Sequence, residues 1–154
     1  MPDGPRLPVH EGLFHIDPDG EVTLVGGWSP SAGLAHFPRR DVCPYTGAVD
    51  VIAVDLPRRG SLWAFTEVTA PPPGYLGAMP YGVGVVDLDI DHTTLRVVTR
   101  LVGATAAELR IGQAVELTSE EVPEPDGTAV TTWAFRPLRP GSGHDTAVTL
   151  DAPT

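Results

Sequence analysis

Cys43 is the only cysteine in a chain of 154 residues, and it stands where a metal site would have four donors. Structural zinc takes four thiolate or imidazole ligands, which commonly arrive as two close C-x-x-C pairs. The chain keeps that frame in Ser29-Pro30-Ser31-Ala32 and Cys43-Pro44-Tyr45-Thr46, so the slots hold Ser29, Ala32, Cys43 and Thr46. One thiol cannot hold a structural zinc, and no metal is expected. His36 and Asp41 would complete only an irregular set without a second close pair. A lost zinc removes about 10–16 kcal/mol of apparent folding free energy in small fingers. Trp28, Leu34, Phe37 and Val42 offer compensating apolar surface, at about 1.5–3 kcal/mol for each large side chain fully buried.

A catalytic thiol needs a base that lowers its pKa. His36, seven residues before Cys43, is the only candidate base with a nearby position. The plainer reading of Cys43 is a partly buried thiol on a turn before Pro44. His10, His15, His92 and His144 fall into no spacing with Ser, Asp or Glu that makes a catalytic set, so no catalytic residue is assigned. Asp87, Asp89 and Asp91 alternate along one strand face without the spacing of a calcium loop. They read as a solvated sheet edge that discourages aggregation.

Trp63, Phe65, Tyr75, Tyr81 and Trp133 supply the aromatic faces on which single-stranded bases stack, but that role also needs an electropositive groove. The chain carries twenty acidic residues against ten basic ones, all of them Arg, for a formal charge of -10. Such a surface gains no counterion-release energy from phosphate backbones, so nucleic acid and anionic membranes are disfavoured and not expected as partners. Core and interface packing is the simpler role for the aromatics. Two local basic pairs, Arg39-Arg40 and Arg58-Arg59, could each meet a phosphate or an acidic partner surface, or lie on turns in water.

Seventeen Pro and seventeen Gly spread through the chain predict many short elements. Residues 13–16 and 21–25 read as a hairpin around the turn at 17–20. Strands are expected at 49–56, 61–69, 81–89, 95–101, 114–119 and 128–136, with one helical turn in 104–109 and an acidic connection at 120–127. Within 61–69, Leu62, Ala64, Thr66 and Val68 alternate with Trp63, Phe65 and Glu67, as in a barrel strand. Residues 70–80 are too rich in proline to continue a sheet and must form a loop. Strands at this spacing suggest a small closed barrel. Residues 1–12 and 141–154 are expected to be flexible. The chain lacks an apolar signal segment at its start and any apolar run near the roughly 20 residues of a membrane span, so a cytoplasmic protein is expected.

The order of these segments resembles the zinc-ribbon and OB-fold acyl-CoA-associated family, once catalogued as domain of unknown function 35. The matching residues begin with Gly20-Glu21-Val22-Thr23-Leu24, Phe37-Pro38-Arg39 and Val42-Cys43-Pro44. Gly60-Ser61-Leu62-Trp63-Ala64-Phe65-Thr66-Glu67-Val68 and Pro80-Tyr81-Gly82-Val83-Gly84-Val85-Val86-Asp87-Leu88 follow in the barrel. Leu109-Arg110-Ile111-Gly112-Gln113-Ala114-Val115-Glu116-Leu117 and Ala134-Phe135-Arg136-Pro137 close it. The chain departs from the family at Asp89-Ile90-Asp91-His92, where an acidic residue followed by glycine is usual, and at three of the four ligand slots.

The resemblance implies an all-β chain: an N-terminal hairpin with a degenerate rubredoxin-like zinc ribbon at 13–47, then a five-stranded OB-fold barrel at 48–140. It also implies a noncatalytic accessory subunit that docks on a thiolase-superfamily enzyme, in preference to a hotdog-fold hydratase, and helps form its acyl-CoA channel in a hetero-oligomer. No covalently bound cofactor is expected, and any acyl-CoA contact would be shared with the partner. Phe37, Arg39 and Arg40 are the candidates for that contact. Tyr75, Leu76, Met79, Pro80 and Tyr81, on the preordered proline-rich loop, are the candidates for the partner interface. The alternatives are a single-stranded nucleic-acid-binding OB protein and a small stand-alone enzyme of specialised metabolism.

Overall fold

The computed structural model describes residues 7–8 and 12–138. Most of the two ends expected to be flexible lies outside the described residues, as do His10, His144 and residues 139–140. The strands are β1 (Leu7–Pro8), β2 (Phe14–Ile16), β3 (Val22–Ser29), β4 (Leu34–His36), β5 (Ile52–Asp55), β6 (Arg59–Val68), β7 (Tyr81–Ile90), β8 (Thr93–Leu101), β9 (Ala114–Pro123) and β10 (Ala129–Pro137). Among the described residues there is no helix. The helical turn expected at 104–109 forms as two i+3 to i bonds, from Glu108 N to Thr105 O and from Leu109 N to Ala106 O.

β6, β7 and β8 form an antiparallel meander, β10 joins β8 in parallel, and β9 pairs with both β10 and β6. The order β6-β7-β8-β10-β9 therefore closes on itself as the five-stranded barrel expected of an OB-fold. Leu7 and Pro8 add a short parallel edge against Val130 and Thr131. Period-2 alternation sends Val86, Leu88 and Ile90 of β7 and Leu95, Val97 and Leu101 of β8 inward. They meet Leu62, Val115, Leu117 and Phe135 in one continuous core.

β6 breaks its expected alternation. A register shift between Leu62 and Ala64 inserts Trp63 as an extra residue. The parity flips there, so Leu62 and Phe65, three apart, both reach the core, while Trp63 turns outward under the Arg96 guanidinium at 3.9 Å. β9 also runs further than expected: residues 120–123 extend the ladder with β10 to the pair Ala129↔Pro123. β7 pairs with β8 along its length but with β6 only as far as Asp87, so Asp87 lies inside the sheet, Asp89 is paired on the β8 side alone and Asp91 falls in the turn. Asp87 instead accepts a hydrogen bond from Arg96 Nε at 2.9 Å across the β7–β8 pair.

A second, smaller sheet is built on β3. β2 pairs with residues 22–24, β4 with residues 27–29, and β5 with residues 25–28. The strand expected within 49–56 thus forms, but its ladder runs to β3. Asp17 makes the hairpin turn by accepting from the backbone N–H groups of Asp19 (3.0 Å) and Glu21 (2.8 Å). Gly27 is required in β3, because a Cβ there would lie 2.4 Å from the His36 ring. Arg58 joins the two sheets: it pairs with Glu21 and donates from Nε to Val22 O at 3.1 Å.

Candidate functional site

The proline-rich loop at 70–80 folds back onto the outer face of the barrel. Tyr75 packs on Tyr81 with ring centroids 5.0 Å apart. The Arg100 guanidinium lies 4.3 Å from the Tyr81 ring centroid and 5.6 Å from that of Tyr75. Arg100 Nη2 donates to Tyr75 Oη and to Glu120 Oε1, both at 2.9 Å, and Nε donates to Glu120 Oε2. Tyr75 Oη in turn donates to Ala78 O at 3.3 Å. Burial opposes the charge on Arg100, but the bonds to Glu120 and Tyr75 outweigh it and hold its pKa above the usual arginine value.

Beside this cluster lies a cleft of about 320 Å³, lined among others by Pro80, Tyr81, Arg100, Leu101, Leu109 and Glu120. Of the expected interface residues, Tyr75 and Tyr81 are therefore used to seat the loop. Leu76 is 56% exposed, Met79 is half-buried, and Pro80 is exposed at the cleft.

Arg39 and Arg40 are exposed and, among the described residues, form no ion pair. Phe37 is separated from them in role, since its ring packs edge-on against Trp133 at 5.5 Å. The Arg40 backbone N–H donates to His36 Nε2 at 3.1 Å. Burial pushes the His36 pKa below its ordinary value. With Nε2 accepting, the neutral ring carries its proton on Nδ1, which is buried without a partner.

The two ligand-slot segments form opposed knuckles. Ser29 Oγ donates to Asp50 Oδ1 at 2.8 Å, and Ser31 N donates to Asp50 Oδ2 at 2.8 Å. Ser31 Oγ lies 3.1 Å from both Ser29 Oγ and Thr46 Oγ1. Burial would push the Cys43 thiol up, but the neighbouring Ser29 and Thr46 hydroxyls and the Tyr45 and Thr46 backbone groups bring it down to about 7. The Asp50 carboxyl is held below its ordinary value by the backbone N–H of Ser31 and the hydroxyls of Ser29 and Ser31. One thiol, several neutral hydroxyls and one carboxylate do not fit structural zinc, which takes thiolates and imidazoles. No three of His, Cys, Asp and Glu cluster as metal donors among the described residues.

The remaining arginines of the barrel are largely matched to carboxylates: Arg96 to Asp87, Arg100 to Glu120 and Arg136 to Glu116. The sequence reading missed Arg100, Glu120 and Asp50. Arg100 and Glu120 are twenty residues apart, and Asp50 is twenty-one residues from Ser29, so no local spacing links either pair. The outward parity of Arg96 and Arg100 on β8 was the one available signal.

Residues 53–120 match the family described as the ChsH2 C-terminal OB-fold domain. The chain is 27% identical over 117 residues to a DUF35 domain-containing scaffold protein of Pyrococcus furiosus, covering 75% of this chain and 83% of that one. It is 29% identical over 135 residues to the benzoylsuccinyl-CoA thiolase subunit BbsA of Thauera aromatica, covering 84% of this chain and 87% of that one. The solved Ltp2-ChsH2(DUF35) aldolase aligns with a TM-score of 0.58 at 29% identity, covering 75% of this chain and 84% of that chain. The barrel order and these likenesses together make residues 53–120 an OB-fold domain similar to the ChsH2 C-terminal domain, in a chain that is similar to DUF35 proteins over most of its length.

Proposed function

We propose that this chain is a noncatalytic accessory subunit that docks on a thiolase-superfamily enzyme in the cytoplasm and helps to form its acyl-CoA channel. One observation carries the reading: the likeness to a named thiolase subunit runs through 84% of this chain. The likeness to the Ltp2-ChsH2(DUF35) aldolase supports the same kind of assembly. The barrel surface adds physical support. Its paired arginines leave little of the positive groove that single-stranded nucleic acid requires, whereas the loop at 70–80 presents Leu76 on a backbone already ordered by Tyr75. A preordered apolar contact binds at reduced entropic cost. Arg39 and Arg40 are the groups that would reach a CoA phosphate, with Phe37 bracing their segment against the barrel.

Co-expression of the tagged chain with thiolase-superfamily proteins encoded beside it tests the proposal. A stable hetero-oligomer through affinity and size-exclusion steps is expected. A chain that stays alone with every such candidate would refute it.

A further inference from the structure

The two knuckles share one backbone turn. Gly33 N donates to Ser29 O at 2.8 Å, and Gly47 N donates to Cys43 O at 2.9 Å. Each loop ends on a glycine at positive φ, +63° for Gly33 and +76° for Gly47. Each also carries proline directly after its first slot. The loops are thus two copies of one turn, held face to face. Ser29 and Cys43 are the first slots of the two copies, and Thr46 is the second slot of the second copy. Ser31 bridges to Thr46 across the gap. Asp50, on the segment leaving the second knuckle, reaches back to the first through Ser29 Oγ and Ser31 N.

We infer that this cluster, anchored on Asp50, replaces a tetrahedral metal as the cross-link between the knuckles, and that the loops still present their four slots in metal-site geometry. A zinc ion would join the loops by bonds to both of them. Here two links run between the same loops: Ser31 to Thr46, and the first knuckle to Asp50 through Ser29 Oγ and Ser31 N. Hydrogen bonds to an ionised carboxylate are among the stronger kind. Ser29 is fully buried, at 0% exposure, so water competes little for its bond to Asp50. The inference is independent of any docking partner.

Two measurements on the full chain test it. The melting temperature should be unchanged by excess EDTA. It should fall by several degrees in Asp50→Asn but not in Asp41→Asn, a nearby exposed carboxylate outside the cluster. Separately, the variant S29C/A32C/T46C, which adds three thiols to Cys43, should bind one Co²⁺ per chain with the intense visible bands of a tetrahedral tetrathiolate, and Zn²⁺ should displace it. The unaltered chain should show no such bands. Loss of stability on chelation, or equal behaviour of the two Asp variants, would overturn the cross-link. A triple-cysteine variant that gives no tetrahedral spectrum, or stays unfolded with metal present, would overturn the retained geometry.

Discussion

The Phe37 ring stands almost perpendicular to the Trp133 indole, at 88° with centroids 5.5 Å apart. Phe14 meets the same indole at 6.2 Å and 63°. Trp133 is two residues from Phe135 on β10 and so shares its inward face, which means the N-terminal segment caps the barrel interior through these rings. Trp133→Ala should cost about 3 kcal/mol in urea unfolding, the lower end for removing a large core aromatic, because the indole is only partly buried. A double-mutant cycle with Phe37→Ala should give a coupling of about 0.5–1.5 kcal/mol. Strict additivity would mean that the two sheets do not share this seam.

Arg100 and Glu120 make a bidentate pair whose side chains are 19% and 24% exposed. Breaking such a pair from one side strands a partly buried charge. Glu120→Ala should therefore destabilise by about 2 kcal/mol, and Arg100→Met with Glu120→Met together by less than either alone. Arg100 also holds the Tyr75 hydroxyl, so amide exchange at 74–78 should quicken in Arg100→Met. Unaltered exchange there would show that the loop is seated without it.

Much of this architecture could be read from residue order. Residues 81–89, 95–101 and 128–136 fall within about two residues of β7, β8 and β10, because inward positions such as Val86, Leu88, Val97 and Leu101 are apolar at strict period 2. β6 resisted the same logic: with Trp63 and Phe65 on one parity and Leu62 on the other, both faces look apolar, and only the pairing with β7 reveals the bulge. Residues 120–123 looked like a connection because they are acidic, yet Glu120 is a strand residue that finds its cation on β8. At the knuckles the empty ligand slots were legible. The replacement was not, because Ser29, Ser31, Thr46 and Asp50 meet only through the fold.

The two-residue turn between β7 and β8 holds Asp91 at φ +46° and His92 at φ +64°. Side chains in the left-handed region cost about 1–2 kcal/mol, and hairpin turns of this type favour glycine at the second position. His92→Gly should raise stability by about 0.5–1 kcal/mol, the remainder being lost to a freer unfolded chain. His92→Val should lower it. Thermal melts of both variants decide the matter, and a destabilised glycine variant would mean that the His92 side chain makes a contact worth more than the backbone strain.

Cys43 titrates at about 7 in the fold against an ordinary value of 9.0. A depressed pKa means that the native state favours the thiolate. The resulting stabilisation is complete above the unfolded value and is lost as pH falls through about 7. The stability difference between the native chain and Cys43→Ser should therefore shift in favour of the native chain between about pH 6 and about pH 9. Thr46→Val removes one hydroxyl donor and should move the thiolate absorbance midpoint upward. A midpoint that stays put would show that Thr46 does not act on the thiol.

Leu76 separates docking from folding. It is 56% exposed, so an aspartate there disturbs no core, whereas Met79 is half-buried in the same loop. If the loop docks on the partner enzyme, Leu76→Asp should weaken the complex by tenfold or more, about 1.4 kcal/mol, while leaving the melting temperature of the isolated chain unchanged. Met79→Asp should lower both affinity and melting temperature. Calorimetric titration of the partner with each variant checks this. Full affinity in Leu76→Asp would place the interface elsewhere, among Trp63, Val98 and Ile111 on the barrel or Val42, Tyr45, Val49 and Ile52 before it, the other large exposed apolar residues among those described. The Trp63 ring is already covered on one face by Arg96, which leaves it less apolar surface to offer than its exposure suggests.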